Sequence, residues 1–280
     1  MKPALICLGL LLVSAAPQSK QRRPSVPSPE KIRSMLLDKT SSEKLFLEHR
    51  ENELAELEKN LGMESDGTPC GFFESVSLDY VALEPGRTHA VIVARSERCW
   101  NDFLTVIERV QRGQWRLVKT YRFFSKYDHP RVAFPELIST GTHEILIGRS
   151  NVGANGTGIW QYDTMVVKLF GGDPQVIFDE PNEANLSIAV NGEKADQFQH
   201  SKWYLVPAEN PGRSKIDIVE DQTLCVNGTK VERWWWHSYD HAVRRFRGVL
   251  VDRSSAMDWI KKSSQFHTTT EKLDDRFTCK

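Results

Sequence analysis

The spacing of apolar and polar positions changes character several times along the chain. An apolar run from Ala4 to Val13 gives way at 17–29 to Pro, Ser, Gln, Lys and Arg with a single Val, a composition that buries no core and reads as a linker. Helical periodicity follows over 30–62. Ser28 is placed to cap, Pro29 suits the first helical position, and Ile32, Met35 and Leu36 form one stripe. Thr40-Ser41-Ser42-Glu43 reads as a capping box, and it predicts a second helix carrying Leu47, Leu54, Leu57 and Leu61 on one face until Gly62 ends it. With barely two heptads, this segment is expected to dock on its own domain rather than pair as a coiled coil.

After Gly67 the period becomes two, in short runs of Val, Ile, Phe, Tyr and Trp separated by Gly, Pro and Asn. That is the pattern of antiparallel strands and turns. The runs group into units of four strands. The first unit, about 76–126, has runs at 80–83, 89–93, 103–109 and 115–123. The second, 132–181, has them at 136–139, 143–147, 164–170 and 175–178, with turns at Gly141 and Gly171-Gly172. A weaker third, 201–251, has them at 203–206, 216–219, 234–239 and 246–251. The expected fold is mainly β, a domain over 68–252 of antiparallel four-stranded repeats, propeller-like or an open β-meander, preceded by the N-terminal helical segment.

Within the second unit, Gly141-Thr142-His143-Glu144-Ile145-Leu146-Ile147 is followed by the Gly-rich stretch 151–158 and a strand-Gly-Gly-strand run. This pattern resembles the FG-GAP or VCBS-type repeats of integrin-like β-propellers, over two units and about a third of the chain. The resemblance implies blade-like units. In that family the turn before the Glu-Ile strand carries calcium-binding Asp residues, whereas here it reads Ser139-Thr140-Gly141-Thr142. With no carboxylate in the turn, no calcium site is expected. Closed propellers need at least about four blades, so an open array sealed by the N-terminal helices stands beside the propeller reading.

The N-terminus adds a compartment. Lys2, the apolar run and the small residues Ser14, Ala15 and Ala16 before Pro17 have the order of a cleavable signal peptide over 1–16. The run falls short of the ~20 apolar residues a membrane-spanning helix needs. The expected product is therefore exported, secreted or periplasmic, with no transmembrane segment. Cleavage would remove Cys7 from the five cysteines and leave Cys70, Cys99, Cys225 and Cys279. An even number in an exported chain favours disulfides. Of the three connectivities, Cys70 with Cys99 and Cys225 with Cys279 close the more modest loops, and the second would tie down a C-terminal segment over 253–280. The charge balance, 37 basic against 37 acidic residues, argues against a nucleic-acid partner.

Candidate chemistry is sparse. His237, Asp240 and His241 form the densest group of metal-capable residues, but Trp234-Trp235-Trp236 before them favours a strand, where residues four apart are too distant to chelate one ion. His237 and His241 are thus weak ligand candidates, and neither a metal nor a cofactor is expected. In a strand Trp234 and Trp236 share a face; core packing explains them, and a sugar-binding platform is the functional alternative. The loop holding Asn151 and Asn155 lacks the Lys and the following helix of a phosphate cradle, so it is read as a hairpin loop and a weak partner-binding candidate. Asp102, Asp179, Glu180 and Glu183 are available carboxylates, but there is no GxSxG elbow. These observations favour a non-catalytic exported β-repeat protein that binds a protein or glycan. The alternative is an exported hydrolase acting on glycan or peptide.

Overall fold

A computed structural model describes residues 25–48, 52–96, 98–124, 129–152, 160–185, 188–190, 193–195, 197–226, 228–261 and 263–266. The segment 1–24, Asn155 and Cys279 lie outside these described residues. Strands dominate and every strand pair is antiparallel.

The chain enters on a short strand, β1 (Ser25–Val26), and then α1 (Pro29–Leu36). As the sequence predicts, the Ser28 side chain accepts from Lys31 N and Pro29 opens the helix. The expected second helix is two. In α2 (Lys39–Glu48) the Asp38 carboxylate, not Thr40, takes the free amide of Thr40 and the Ser41 hydroxyl. In α3 (Glu53–Leu61) the Asn52 side chain accepts from Ala55 N at 2.9 Å. Gly62 ends α3 in the left-handed region at φ 68°, which a glycine adopts without a Cβ clash.

The first unit is β2 (Ser75–Val81), β3 (His89–Ser96), β4 (Asn101–Arg109) and β5 (Trp115–Phe124), a meander with β1 on its far edge. The second unit comprises β6 (Arg131–Ala133), β7 (Ile145–Val152), β8 (Trp160–Phe170) and β9 (Asp173–Asn185). Its opening strand is not the expected run 136–139. The buried Glu144 carboxylate draws in the amides of Leu137 at 2.7 Å and Ile138 at 3.3 Å, and the Leu137 carbonyl accepts from Lys215 N and Ile216 N. With those groups taken, 131–133 pairs with β7 instead. The third unit comprises β10 (Gln197–Pro207), β11 (Ile216–Val226), β12 (Thr229–Asp240) and β13 (Arg245–Val251). It is followed by α4 (Arg253–Ile260) and β14 (Ser264–Phe266), which pairs with β10. Units two and three are not separate sheets. The tips of β9 and β10 pair at Glu183/His200, Ala184/Gln199 and Asn185/Phe198, fusing them into one curled sheet.

Alternation along the strands then builds a stack of layers. Even positions of β3 (Ala90, Ile92 and Ala94) meet Ile32, Leu36, Leu54, Leu57 and Leu61 of the helices. Odd positions (Val91 and Val93) meet Ile145, Ile147, Met165 and Val167 of the second unit. The other face of that unit, with Leu146, Val166 and Phe178, meets Trp203, Ile218, Tyr239 and Phe246 of the third. Finally, α4 closes the outer face of the third unit over Val206, Val219 and Trp234. Each β layer is covered on both sides, which is why β4 is buried along almost its whole length.

Two fixtures hold the first helical layer. Cys70 and Cys99 form a disulfide, one of the two bridges expected; Cys225 is also disulfide-bonded. Glu58, fully buried on α3, accepts from Cys70 N at 2.6 Å and Gly71 N at 3.0 Å. Burial lifts its pKa to about 7 despite these two donors.

Replacing Cys70 and Cys99 with Ala should cost about 3.6 kcal/mol in denaturant unfolding, the entropy of a 29-residue loop in the unfolded chain. The folded pKa of Glu58 is raised above its unfolded value of 4.5, so the folded state holds a proton the unfolded state has lost, and stability should fall as pH rises from 4.5 to about 7. Urea midpoints across that window should show Glu58→Gln flattening this decline; an unchanged slope would refute it.

Candidate functional site

The curled sheet has an apolar floor and a polar upper end on the same inner face, because the register puts them in line. Trp203, Glu220 and Trp235 are directly paired across β10, β11 and β12, and Ser201, Gln222 and Arg233 are paired one step along. Residues paired in this way project to one side of a sheet. Below them Trp203, Phe178 and His237 pack ring against ring, with centroids 5.1 Å apart for Phe178 and Trp203 and 5.3 Å for Phe178 and His237.

The polar end is a connected network. Ser201 donates to Glu220 Oε1 at 2.5 Å, and His237 Nε2 lies 3.1 Å from Glu220 Oε2. Gln222 Nε2 donates to Glu220 Oε1 at 3.3 Å, and the indole N–H of Trp235 donates to Gln222 Oε1 at 3.2 Å. Gln199 donates to Ser201 Oγ and to the Pro181 carbonyl. Glu180 faces the same group from β9. Burial raises its pKa and so does the nearby Glu220, while His237 lowers it. Two donors here remain unused, the Thr164 hydroxyl, paired in register with Glu180, and the indole N–H of Trp203. Buried donors without partners are costly, of order 1–3 kcal/mol each, so this interior is chemically suited to a polar guest.

His237 sits where it does because Gly248 lies beneath it. A Cβ at Gly248 would fall 2.8 Å from His237 Cε1 and 2.9 Å from Nδ1.

The residues singled out in the sequence scatter. Trp234 is buried beneath α4, and the Trp236 ring stacks 4.9 Å from Trp259 while its N–H donates to Asp217 Oδ2 at 3.1 Å. Their shared face is therefore covered by helix, and Trp235, between them, is the one turned inward. His237 bonds Glu220, whereas His241 Nε2 meets the Arg213 carbonyl at 2.5 Å; the two histidines do not converge. Asp102 is in the first sheet, 2.9 Å from His129 Nδ1. Both Asp179 oxygens accept from Arg149 at 3.1 Å, Asn151 is the next-to-last residue of β7, and Glu183 pairs with His200 at the fusion of the two units. Of the carboxylates flagged in the sequence, Glu180 lies beside this network, at its exposed margin. Ser201, Glu220, Gln222 and Trp235 were not flagged. Their signal was period-two spacing on three strands, readable only once the register was known.

A second buried cluster lies between the first and second units. One ligand-type atom from each of Glu84, His89 and Glu108 falls within 4.8 Å of the others.

No protein-family model matches the chain, and no curated protein sequence does.

Gly248→Ala should displace His237, break its contact with Glu220 and cost roughly 1–3 kcal/mol, as overpacking does. Thermal melts of this variant beside Gly212→Ala, whose added Cβ would meet an exposed Asn210 side chain at 3.3 Å, test it. Equal melting temperatures would count against the assignment.

Proposed function

We propose that the protein is an exported, non-catalytic β-repeat protein that binds a glycan at the polar end of its curled sheet. The carrying observation is Trp235. It is a half-buried indole on the inner face, hydrogen-bonded to Gln222 and adjoining the Ser201, Glu220 and Gln199 group. A flat aromatic beside paired amide, hydroxyl and carboxylate groups matches the chemistry of a sugar ring, which offers an apolar C–H face and a rim of hydroxyls. The blade-like stacking of four-stranded units supports the repeat reading. Export rests on the leader over 1–16. It is consistent with the Cys70–Cys99 disulfide and with the lack, among the described residues, of a helix long and apolar enough to cross a membrane.

A hydrolase is the second reading, favoured by one observation: burial raises the pKa of Glu180, while Glu220 is held by Ser201 and His237. Two carboxylates in unlike surroundings are the arrangement that separates acid from base.

A glycan array followed by titration of tryptophan fluorescence tests both. The expected result is binding without product release, weakened at least ~10-fold by Trp235→Ala, a loss of about 1.4 kcal/mol. Trp234→Ala should instead lower the melting temperature, since that ring packs under α4. Release of reducing sugar that stops in Glu180→Gln would replace the binding reading with the hydrolytic one, and no glycan binding at all would sink both.

A further inference from the structure

At the lower edge of the interface between the first and second units, three residues converge. His89 and Glu108 are directly paired across β3 and β4. Both share the face of Val91 and Val106, which packs against the second unit. Glu84 reaches them from the turn before β3, with its Oε1 accepting from Gly172 N of the second unit at 3.0 Å. His89 is fully buried, yet neither ring nitrogen has a hydrogen-bond partner, and the buried Glu84 Oε2 has only the ion pair with Arg87.

We propose that Glu84, His89 and Glu108 form a binding site for a divalent transition-metal ion of the zinc or manganese class. One imidazole and two carboxylates suit such ions, and the ion would give one His89 nitrogen the partner it lacks while taking the place of the Arg87 guanidinium at Glu84 Oε2. The remaining oxygens are already anchored, Glu84 Oε1 by Gly172 N and Glu108 Oε1 by Arg116 Nε at 2.9 Å. Supports of this kind orient ligands in metal sites.

Arg87 is the competitor. Its Nη1 lies 3.2 Å from Glu84 Oε2 and 3.2 Å from Glu108 Oε2, so it bridges the two carboxylates where an ion would sit. The Arg87 side chain is 43% exposed, so it can swing into water and open a route for the ion. Metal–ligand bonds of about 2.0–2.2 Å then require the three ligand atoms, spread over as much as 4.8 Å, to close on the ion as the guanidinium leaves.

The test is calorimetric titration of chelator-stripped full-length protein with Zn²⁺ and, separately, Mn²⁺, with thermal melts alongside. The expected result is one equivalent bound by the wild type, weakened at least ~10-fold in His89→Gln and strengthened at least ~10-fold in Arg87→Ala. Metal-free Arg87→Ala should also melt lower than wild type and recover when metal is added. If His89→Gln fails to fold, the surface substitution at Arg87 still decides the matter. Absence of binding by the wild type would overturn the proposal, as would binding that Arg87→Ala leaves unchanged, since that ion would be held elsewhere.

Discussion

Two-sided burial of the middle β layer is the constraint on which the rest of the molecule depends. The second unit is apolar and buried on both faces through its middle: Ile145, Ile147, Met165 and Val167 pack toward the first unit, while Leu146, Val166 and Phe178 pack toward the third. A sheet apolar on both faces is stable only as an interior layer. Its neighbours must then be capped in turn, by α1 and α3 at one end and α4 at the other. The layered array is open, and its ends are sealed by helices rather than by further units.

Such an interior forces every polar group within it to find a partner or a use, because an unpaired buried group costs more than a typical hydrogen bond contributes. Most are satisfied. Glu144 takes two backbone amides and Lys168, and Glu58 takes two amides beside the disulfide. Exceptions occur at Ser96 and His200 and at two places beside a candidate site: His89 at one interface, and Thr164 with Trp203 in the curled sheet. These last two are the places from which the two ligand proposals arise, and they are separate: one faces the first unit and the other the third.

The fusion of the second and third units has a similar physical origin. Register shifts between Tyr162 and Asp163, and between Val166 and Val167, interrupt the β8–β9 ladder. Bulges of this kind bend a strand and increase its twist. The tip of β9 meets β10 over a few residue pairs, and the sheet curls so that Phe178 faces His237 and Trp203 across the interior.

Much of this was legible in the sequence where local chemistry decides it. Ser28 and Pro29 mark a helix start, Gly62 a helix end, and period-two runs mark strands grouped in fours; each depends on residues within one turn or one strand. The strand expected at 136–139 failed because Glu144 and the third unit claim its backbone groups, a tertiary effect with no local trace. For Trp234, Trp235 and Trp236 the sequence determined that the middle ring opposes the other two. Which side faces helix and which faces the polar network was decided by α4, packed over Trp234 and Trp236. Likewise the sequence supplied Glu84, His89 and Glu108 at unremarkable spacing, and only strand pairing together with the packing of one unit on the next brought them together away from water.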